Sequence, residues 1–373
     1  MKVAIVRGKH LNQYEMQIFE PLVKDFDITA FGSLSPFHDT FSFPTVKLPS
    51  PMDLPEFPFK MPILNRLFID AHYLYGLEQK IEGFDIAHSA ETYYHYTQQA
   101  LNAKKRGKVK KVVATVLENI PFNNEGIWGR ASFKKRAREE LDHIIALTER
   151  TKNALLLEGA DEKKITVISH GIDTKRFFPN PKKNFHTKDI MLLFCGRLEK
   201  YKGVYEVIFA VKRLLADKSL RNYGFHVTII GDGSEKNNMQ EMETRLGIAK
   251  HITHKNVAYK DMPKAYQNAD IYLGPSKAGA YWIEQYNTTL LEAQATGLPI
   301  VTTYSGGIPE NVGNAALLVP PNDSFAIYEA IKQFALHPNL RETYAKKARE
   351  RAEHVHDVSI IANKIKGVYN SLL

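Results

Sequence analysis

The sequence predicts an α/β protein made of two doubly wound, Rossmann-like domains. Short apolar segments of strand-like composition alternate with helical patterns along most of the 373 residues, which favours parallel sheets covered by helices on both faces. The alternation stops once, in the proline-rich polar segment 179–189, and then starts again. Because a chain of this length exceeds what a single hydrophobic core supports, we expect domains at 1–178 and 179–357.

The first half contains six short segments with strand composition, and helices are expected between several of them, for example at 14–24 and 97–105. The predicted strands are 3–6, 28–31, 85–88, 112–116, 143–147 and 165–168.

The second half repeats the pattern. We predict strands at 190–195, 226–231, 271–274, 299–303 and 316–319, and helices at 204–215, 236–246, 262–267, 288–296 and 324–335. The chain from 340 to its last residue is expected to be helical. Since ligands of doubly wound sheets bind at the carboxyl ends of the strands, we expect the site in a cleft that the two domains face.

The composition is that of an ordinary soluble enzyme, with 44% apolar and 24% charged residues. The single cysteine, Cys195, excludes an intramolecular disulfide and lies in an apolar run, which predicts a buried thiol. No apolar run reaches membrane-spanning length, and the first apolar segment is too short for a signal peptide, so a cytoplasmic location is expected. No histidine or cysteine cluster has metal-ligand spacing, which predicts that no metal is required.

A net charge of +9 attracts nucleic acid, anionic membrane surfaces or phosphorylated substrates. Nucleic acid is not expected, since the sequence lacks an interleaved aromatic platform and zinc-finger spacing. A solvated basic face without a specific partner stays an open alternative. The basic residues cluster in two blocks, at 104–111 and 134–138.

Glu284 and Glu292 form the most informative pattern in the chain. Glu292 lies in a predicted helix among leucine and alanine residues, where a carboxylate is costly unless something pairs with it. The start of this helix presents free backbone amides, which bind phosphate, and a flanking carboxylate can bind sugar hydroxyls.

A second pattern directly follows the first strand of the second half. Arg197 offers a fixed fork of donors and Lys202 a point charge, and together they suit a diphosphate. The alternative is that both are solvated cations on a strand-to-helix loop.

Taken together, these motifs resemble the retaining glycosyltransferases of family 4, which have the GT-B fold. The resemblance covers the whole chain and is most specific between about 148 and 323. The matches follow the family's order: Ser169-His-Gly171 with Phe177-Phe-Pro179, Gly196-Arg197 with Lys202-Gly203, Ile230-Gly-Asp-Gly233, Ala269-Asp270, Pro275-Ser276, Glu284-x7-Glu292, Gly306-Gly-Ile-Pro-Glu310 and Leu318-Val-Pro-Pro-x-Asp323.

The resemblance implies a donor site in the second domain. Arg197 and Lys202 would neutralise the donor diphosphate, and Glu284 would bind hydroxyls of the transferred sugar. Glu292 would hold the ribose diol. The remaining implied donor-binding residues are Gly196 in the phosphate turn, the backbone amides of Asn287, Thr288 and Thr289, Lys255 in the loop that reads the base, and Gly8 after the first strand.

The chain departs from the family pattern in three places, one of which is the glycine-rich loop near the N-terminus, reduced here to Gly8. The usual Glu-Gly-x-Gly becomes Glu284-Gln-Tyr-Asn287, which asparagine tolerates because it can adopt left-handed backbone angles. Many members carry a sugar-contacting histidine after the fourth strand, and Glu118 or Asn119 must replace it here. His88 is a further candidate for contact with the acceptor or the donor sugar.

The function that the resemblance implies is transfer of a hexosyl group from a UDP- or GDP-hexose to a glycan or lipid-linked acceptor. It implies a front-face mechanism with retention, no metal and no other cofactor. It also implies that residues from about 358 cross back onto the first domain. A sugar-nucleotide epimerase of the same fold and a non-catalytic basic protein that binds membranes or anions are the alternatives.

Residues 57–68 mix apolar groups with Lys60 and Arg66. Beside the basic blocks, this segment suggests a peripheral association with an anionic membrane surface, at the inner face of the cell membrane. The equally weighted alternative is a helix that packs on the first sheet.

Overall fold

Two parallel sheets form the framework of the computed structural model, which describes residues 1–279 and 282–373. The first contains seven strands: β1 Lys2–Gly8, β2 Asp27–Gly32, β3 Thr45–Lys47, β4 Phe84–Ala90, β5 Val109–Val116, β6 His143–Ala146 and β7 Ile165–Val167. The second contains six: β8 Asp189–Cys195, β9 Gly224–Ile230, β10 Ile252–Lys255, β11 Ile271–Gly274, β12 Ile300–Thr303 and β13 Leu317–Val319.

The strand order is β3-β2-β1-β4-β5-β6-β7 in the first sheet and β10-β9-β8-β11-β12-β13 in the second. In both sheets the order reverses direction beside the first strand, between β1 and β4 and between β8 and β11. Such a switch point opens a crevice at the carboxyl ends of the strands, where doubly wound sheets bind ligands. The predicted fold class is therefore confirmed.

Each sheet is the centre of its own compact unit. Unit 1 contains Met1–Gly171 and Val358–Leu373, and unit 2 contains Ile172–Asp357. The sequence analysis predicts a boundary at 178/179, whereas unit 2 begins at Ile172, so the whole segment 179–189 lies within unit 2.

Helices cover both sheets. Those of unit 1 are α1 Gln13–Met16, α2 Lys60–Phe68, α3 Leu77–Lys80, α4 His95–Lys105, α5 Arg130–Glu140 and α6 Glu149–Leu157. Those of unit 2 are α7 Val204–Ala216, α8 Lys236–Arg245, α9 Met262–Gln267, α10 Thr288–Ala295, α11 Ile308–Val312, α12 Ser324–Leu336 and α13 Pro338–Arg351. A last helix, α14 Val358–Ser371, returns to unit 1.

The alternation of side chains along β1 explains why unit 1 needs helices on both sides of its sheet. Val3 and Ile5 point to one face, where they pack with Ile365 of α14. Ala4 points to the other face and packs with Leu101 of α4. Because both faces of a parallel sheet are apolar, α14 covers surface that would otherwise meet water.

Unit 2 is built in the same way around β8. Leu192 of this strand packs with Val211 of α7 and with Phe334 of α12, all of them fully buried. The first turn of α12 is held by Asp323, whose carboxylate accepts hydrogen bonds from the amides of Phe325 and Ala326.

The predicted strands are all present, and two short edge strands, β3 and β10, were missed. The predicted helix at 14–24 is wrong. The chain forms the single turn α1 and then a short 3₁₀ segment, Glu20–Lys24, which begins around Pro21. Proline lacks the amide that an α-helix would need at this point.

Within the described ranges, no helix combines the length and the apolar character needed to span a bilayer.

Candidate active site

Lys202 and Glu284 meet at the carboxyl edge of the second sheet. The Lys202 Nζ lies 2.5 Å from Oε2 of Glu284, and the same oxygen accepts a hydrogen bond of 2.6 Å from the Ser276 hydroxyl. Both side chains are largely buried, with 16% and 8% of their surface exposed. The structure thus joins two predicted site residues from loops that follow β8 and β11.

Two glycines allow this approach of the loops. Gly203 follows Lys202 with φ 75°, and a Cβ there would lie 2.0 Å from the carbonyl oxygen of Pro275. Gly306 has φ 55°, and a Cβ there would lie 1.8 Å from the carbonyl oxygen of Glu284. Any side chain at either position would force the loops that carry Lys202 and Glu284 apart.

Arg197 is exposed on the loop after β8, close to Lys202 in sequence. Its guanidinium lies 5.4 Å from the ring centre of Tyr201, which orients it by a cation–π contact. Gly196 continues the edge of the sheet, since its amide donates to the Ile230 carbonyl at 3.0 Å. Arg197 therefore has donors available to an anion from solvent.

Helix α10 begins beside Glu284. Asn287 precedes it with φ 57°, the left-handed conformation that the sequence analysis required of this asparagine. In the part of the chain that the structure describes, no side chain caps the helix, so the amides of Thr288 and Thr289 are not used by a capping residue. The Thr289 hydroxyl donates to Asn287 Oδ1 at 2.6 Å and holds the turn in place.

Glu292 lies one helical turn further into α10 and is 4% exposed. Burial raises the pKa of its carboxyl group to about 7, while a hydrogen bond with Tyr266 and the charge of Arg176 oppose the rise. The sequence analysis predicts that ionising this carboxyl group among apolar neighbours costs free energy, and the raised pKa is consistent with that prediction. Lys255 is the exposed last residue of β10, so the segment predicted as a base-reading loop begins as an edge strand.

In unit 1, Gly8 ends β1 with φ 54°, where the pairing with β2 shifts register. A Cβ at this position would lie 3.4 Å from the ring of Tyr96. Gly8 is thus placed at the switch point between β1 and β4.

His88 does not line a site. It is fully buried, its Nδ1 bonds the Tyr369 hydroxyl of α14 at 2.5 Å, and its Nε2 bonds Thr115 at 2.7 Å. Burial and the charge of Arg7 hold its pKa well below the usual value. The predicted contact of His88 with a substrate is therefore incompatible with this packing. The side chain instead connects β4 to β5 and α14 through its two hydrogen bonds.

Glu118 is also occupied by its own loop. Its Oε1 accepts the amides of Asn119 and Ile120 at 3.0 Å each, and its Oε2 accepts the side-chain amides of Asn123 and Asn124. Contact with a sugar would require the loss of these hydrogen bonds. Asn119 is 1% exposed at the same position.

Glu91 lies beside Glu118 and is not among the site residues that the sequence predicts. It adopts φ 58°, a strained conformation for this residue type, directly after β4. Its Oε1 accepts the amides of Leu117 and Glu118, and its buried Oε2 has no hydrogen-bond partner among the described residues. Burial, and then the charge of Glu118, raise its pKa to about 8.

Another polar cluster near the switch point of unit 1 escaped the sequence analysis. Asp70 is fully buried and binds Nδ1 of His72 at 2.9 Å and the guanidinium of Arg130 at 2.8 Å. His72 Nε2 lies 3.0 Å from Nε2 of His10. Asp70 and His72 share one loop, whereas His10 lies on another and Arg130 on an unpredicted helix, so no local pattern could have grouped all four.

The two basic blocks are mostly ion-paired. Five of the six cations in 104–111 have a carboxylate within 4 Å, as do all four in 134–138. Because most of these cations are already paired with carboxylates, the two blocks do not form an uncompensated surface for binding anions. Exposed apolar side chains lie instead on α2, on the residue directly before it and on the loop before α5: Phe59, Ile63, Leu67, Phe122 and Trp128.

A search of the described residues finds no group of three or more histidine, cysteine, aspartate or glutamate side chains arranged to hold a metal ion.

Comparison with protein-family models gives two consecutive matches. The model for glycosyltransferase family 4 matches residues 31–176, and the model for glycosyl transferases group 1 matches residues 176–351. The two matches divide near the boundary between the structural units.

The chain is also similar to individual characterised proteins. It is 26% identical over 250 residues to the capsular polysaccharide biosynthesis glycosyltransferase CapM of Staphylococcus aureus. This match covers 62% of each chain. It is 30% identical over 233 residues to a D-inositol 3-phosphate glycosyltransferase of Kribbella flavida. This match covers 58% of this chain and 53% of the relative. The chain thus spans between half and two thirds of the length of these relatives.

Among solved structures, the Anabaena protein HepE in complex with UDP and glucose matches with a TM-score of 0.77 and 16% identity, over the full length of both chains. At this identity the likeness shows the shared fold.

Proposed function

Because the chain belongs to the glycosyl transferases group 1 family, we propose that it moves a hexosyl group from UDP-hexose or GDP-hexose to a glycan or lipid-linked acceptor. One observation carries the proposal: Lys202 and Glu284 meet beside Arg197 and the uncapped start of α10. Cations and free amides suit a diphosphate, and a carboxylate suits sugar hydroxyls. The UDP complexes of HepE support a nucleotide-sugar donor.

The diphosphate would bind to Arg197, to Lys202 and to the amides at the start of α10. In the free protein, Lys202 is neutralised by Glu284. A diphosphate that enters offers Lys202 a second anion and releases the Glu284 carboxylate toward the hexose. The ion pair would therefore keep both groups in place until the donor arrives.

The two ends of the donor would be held by the carboxylates. Glu284, supported by the Ser276 hydroxyl, would accept hydrogen bonds from hexose hydroxyls. Glu292 would accept from the ribose diol, and its ionised form would be favoured by those two donors. Lys255 and the adjoining backbone would lie at the base.

Retention would follow from attack on the face that the diphosphate leaves. The bond from C1 to the phosphate oxygen breaks, the acceptor oxygen bonds to C1, and the departing phosphate takes the proton of the acceptor hydroxyl. Arg197 and Lys202 would act where charge develops, on the leaving diphosphate. Each charge-assisted hydrogen bond is worth about 1.5–3 kcal/mol. With two cations in this role, no metal ion is required.

The acceptor would bind to unit 1, at the carboxyl ends of β4 and β5. Glu91 is a candidate there because its Oε2 has no hydrogen-bond partner among the described residues, and Asn119 is the other. Both ring nitrogens of His88 and both carboxylate oxygens of Glu118 are already used in hydrogen bonds. A glycan acceptor is supported by the similarity to CapM, which is named for capsular polysaccharide biosynthesis.

We further propose a cytoplasmic protein that associates peripherally with the inner face of the cell membrane. The paired basic blocks do not support this, but the exposed apolar residues do. Phe59, the residue directly before α2, and Leu67 within α2 are 76% and 71% exposed. In a sedimentation assay with anionic liposomes, we expect the wild type to co-sediment with the liposomes and a Phe59→Ser/Leu67→Ser variant to remain in the supernatant. If the wild type fails to sediment, the membrane proposal is wrong.

Calorimetric titration with UDP, GDP, ADP and their common hexose conjugates, in EDTA, tests the donor site. We expect one nucleotide to bind the wild type, and Arg197→Ala to weaken that binding at least tenfold. Arg221→Ala is the matched control. This exposed arginine lies just before β9, at the amino ends of the strands of the same sheet, away from the site at their carboxyl ends. If a folded wild type binds no nucleotide, the transferase proposal fails.

A further inference from the structure

Tyr201 and Trp282 form an aromatic pair beside the proposed donor site. Their ring centres lie 4.4 Å apart with a 45° tilt, at the short limit of favourable aromatic contacts. Tyr201 lies on the loop after β8 and Trp282 on the loop after β11, so the pair spans the switch point of the second sheet. Both rings are half-buried.

The pair borders the charged groups directly. The Lys202 ammonium lies 5.4 Å from the ring centre of Trp282 and 5.8 Å from that of Tyr201. Arg197 lies 5.4 Å from Tyr201. Since Lys202 also binds Glu284, the two rings and the carboxylate surround the same ammonium group.

The loop that carries Trp282 is held by specific hydrogen bonds on both sides. The Lys277 amide donates to the Tyr201 carbonyl at 2.8 Å, and the Ser305 hydroxyl donates to the Lys277 carbonyl at 2.6 Å. The Glu284 amide in turn donates to Ser305 Oγ at 3.2 Å. These bonds tie both loops to one another, so the aromatic pair has a defined position relative to Glu284.

The two rings are not part of the buried cluster that the second sheet forms with α7 and α12. Among the described residues, that cluster includes neither Tyr201 nor Trp282. Two large rings at the edge of a polar site, outside the core, leave apolar surface available to a ligand. Ligand sites typically combine such aromatic surface with a few placed polar groups.

We propose that the Tyr201–Trp282 pair is the platform on which the hexosyl ring of the donor lies. A pyranose has an apolar face of C–H groups and a rim of hydroxyls. The aromatic pair would support the apolar face while Glu284 accepts from the rim. This inference rests on the proposed function, and it makes the pair a determinant of which hexose is accepted.

Intrinsic fluorescence gives a direct test, because the chain contains only two tryptophans. Trp128 lies in unit 1 and is 82% exposed. In a Trp128→Phe background all tryptophan emission therefore comes from Trp282. We expect the hexose conjugate of the preferred nucleotide to change this emission more than the nucleoside diphosphate alone.

Affinities of Trp282 variants separate sugar binding from nucleotide binding. For Trp282→Ala we expect at least a tenfold weaker affinity for UDP-glucose, UDP-galactose or GDP-mannose, whichever the wild type binds. The affinity for the corresponding diphosphate should stay within twofold. Trp282→Phe retains a ring and should recover most of the lost affinity.

Three results would overturn the inference. Trp282→Ala with unchanged affinity for the hexose conjugate would show that the ring does not touch the sugar. Equal weakening of the diphosphate and the conjugate, in a variant with the melting temperature of the wild type, would assign the ring to the nucleotide part of the site. A wild type that binds no nucleotide at all would refute the proposed function and the platform with it.

Discussion

Replacing Lys202 by methionine tests the ion pair at the centre of the candidate site. The variant keeps most of the side-chain volume and removes the charge, which leaves the Glu284 carboxylate with the Ser276 hydroxyl. Removing one partner of a fully buried pair costs about 3–5 kcal/mol. Because Lys202 keeps 16% of its side-chain surface exposed, we expect a smaller loss of about 2–3 kcal/mol in the free energy of unfolding of unit 2.

The partner variant and the double variant complete the cycle. Glu284→Gln keeps a hydrogen-bonding group, and we expect it to cost about 1–2 kcal/mol. In Lys202→Met/Glu284→Gln neither charge is left without its partner. The double variant should therefore be more stable than the sum of the single effects predicts, by at least about 1 kcal/mol.

Urea unfolding followed by Trp282 emission, in the Trp128→Phe background, reports on unit 2 and measures all four proteins. Lys346→Met is the control, since Lys346 pairs with Glu342 on the surface and is 72% exposed. That change should cost no more than about 0.5 kcal/mol. If the Lys202 and Glu284 effects add within about 0.5 kcal/mol, the ion pair is not formed in the free protein and the reasoning fails.

Three further variants probe other contacts. Asp70→Asn removes the buried charge that faces Arg130 at 2.8 Å and should destabilise unit 1 by about 3 kcal/mol, measured by thermal unfolding. Glu292 has a folded pKa of about 7 against 4.5, so the native state keeps a proton that the unfolded state loses. This group should therefore lower the stability by up to about 3 kcal/mol between pH 4.5 and 7, and Glu292→Gln should remove this part of the fall while leaving the part that comes from Glu91, whose pKa is raised to about 8. Gly203→Ala should destabilise unit 2 by at least about 2 kcal/mol, because its Cβ would lie 2.0 Å from the Pro275 carbonyl.

Each of these has a result that contradicts it. Equal melting temperatures of Asp70→Asn and the wild type would mean that the carboxylate is not ionised in the fold. A wild type and a Glu292→Gln variant with the same pH dependence would remove Glu292 as the titrating group. Gly247→Ala is the control for Gly203→Ala, because Gly247 has φ 68° with no atom near its Cβ position. If both alanine variants lose the same stability, the close approach of Pro275 contributes nothing.

Local patterns in the sequence were enough to predict most strands and the longer helices. These patterns failed where the element was short or where its sequence lacked a clear apolar periodicity. Strand β3 has three residues and β10 has four, and both lie at sheet edges where burial does not impose a clear pattern. Helix α5 was missed because eight of its residues are charged or polar, so an apolar stripe is hard to see.

The site residues show the same division. The resemblance named Arg197, Lys202 and Glu284 from motifs, and the structure brings Lys202 and Glu284 into contact. His88 and Glu118 were also named from their positions after strands, yet their side chains bond to α14 and to a loop that the sequence analysis did not place. A position at a strand end predicts proximity to the site, but the direction of a side chain depends on its neighbours.

The sequence by itself determined the two doubly wound sheets, because the alternation of apolar segments is a local property that burial on both faces requires. It also determined the order of the motifs along the second half. Only the tertiary structure decided that Lys202 is neutralised by Glu284, that Tyr201 packs on Trp282 and that Asp70 joins His72 to Arg130. Apart from the contact of Asp70 with His72, which lies within one loop, these contacts link residues from different loops or helices. Their distances depend on how the elements pack, and no spacing along the chain specifies that packing.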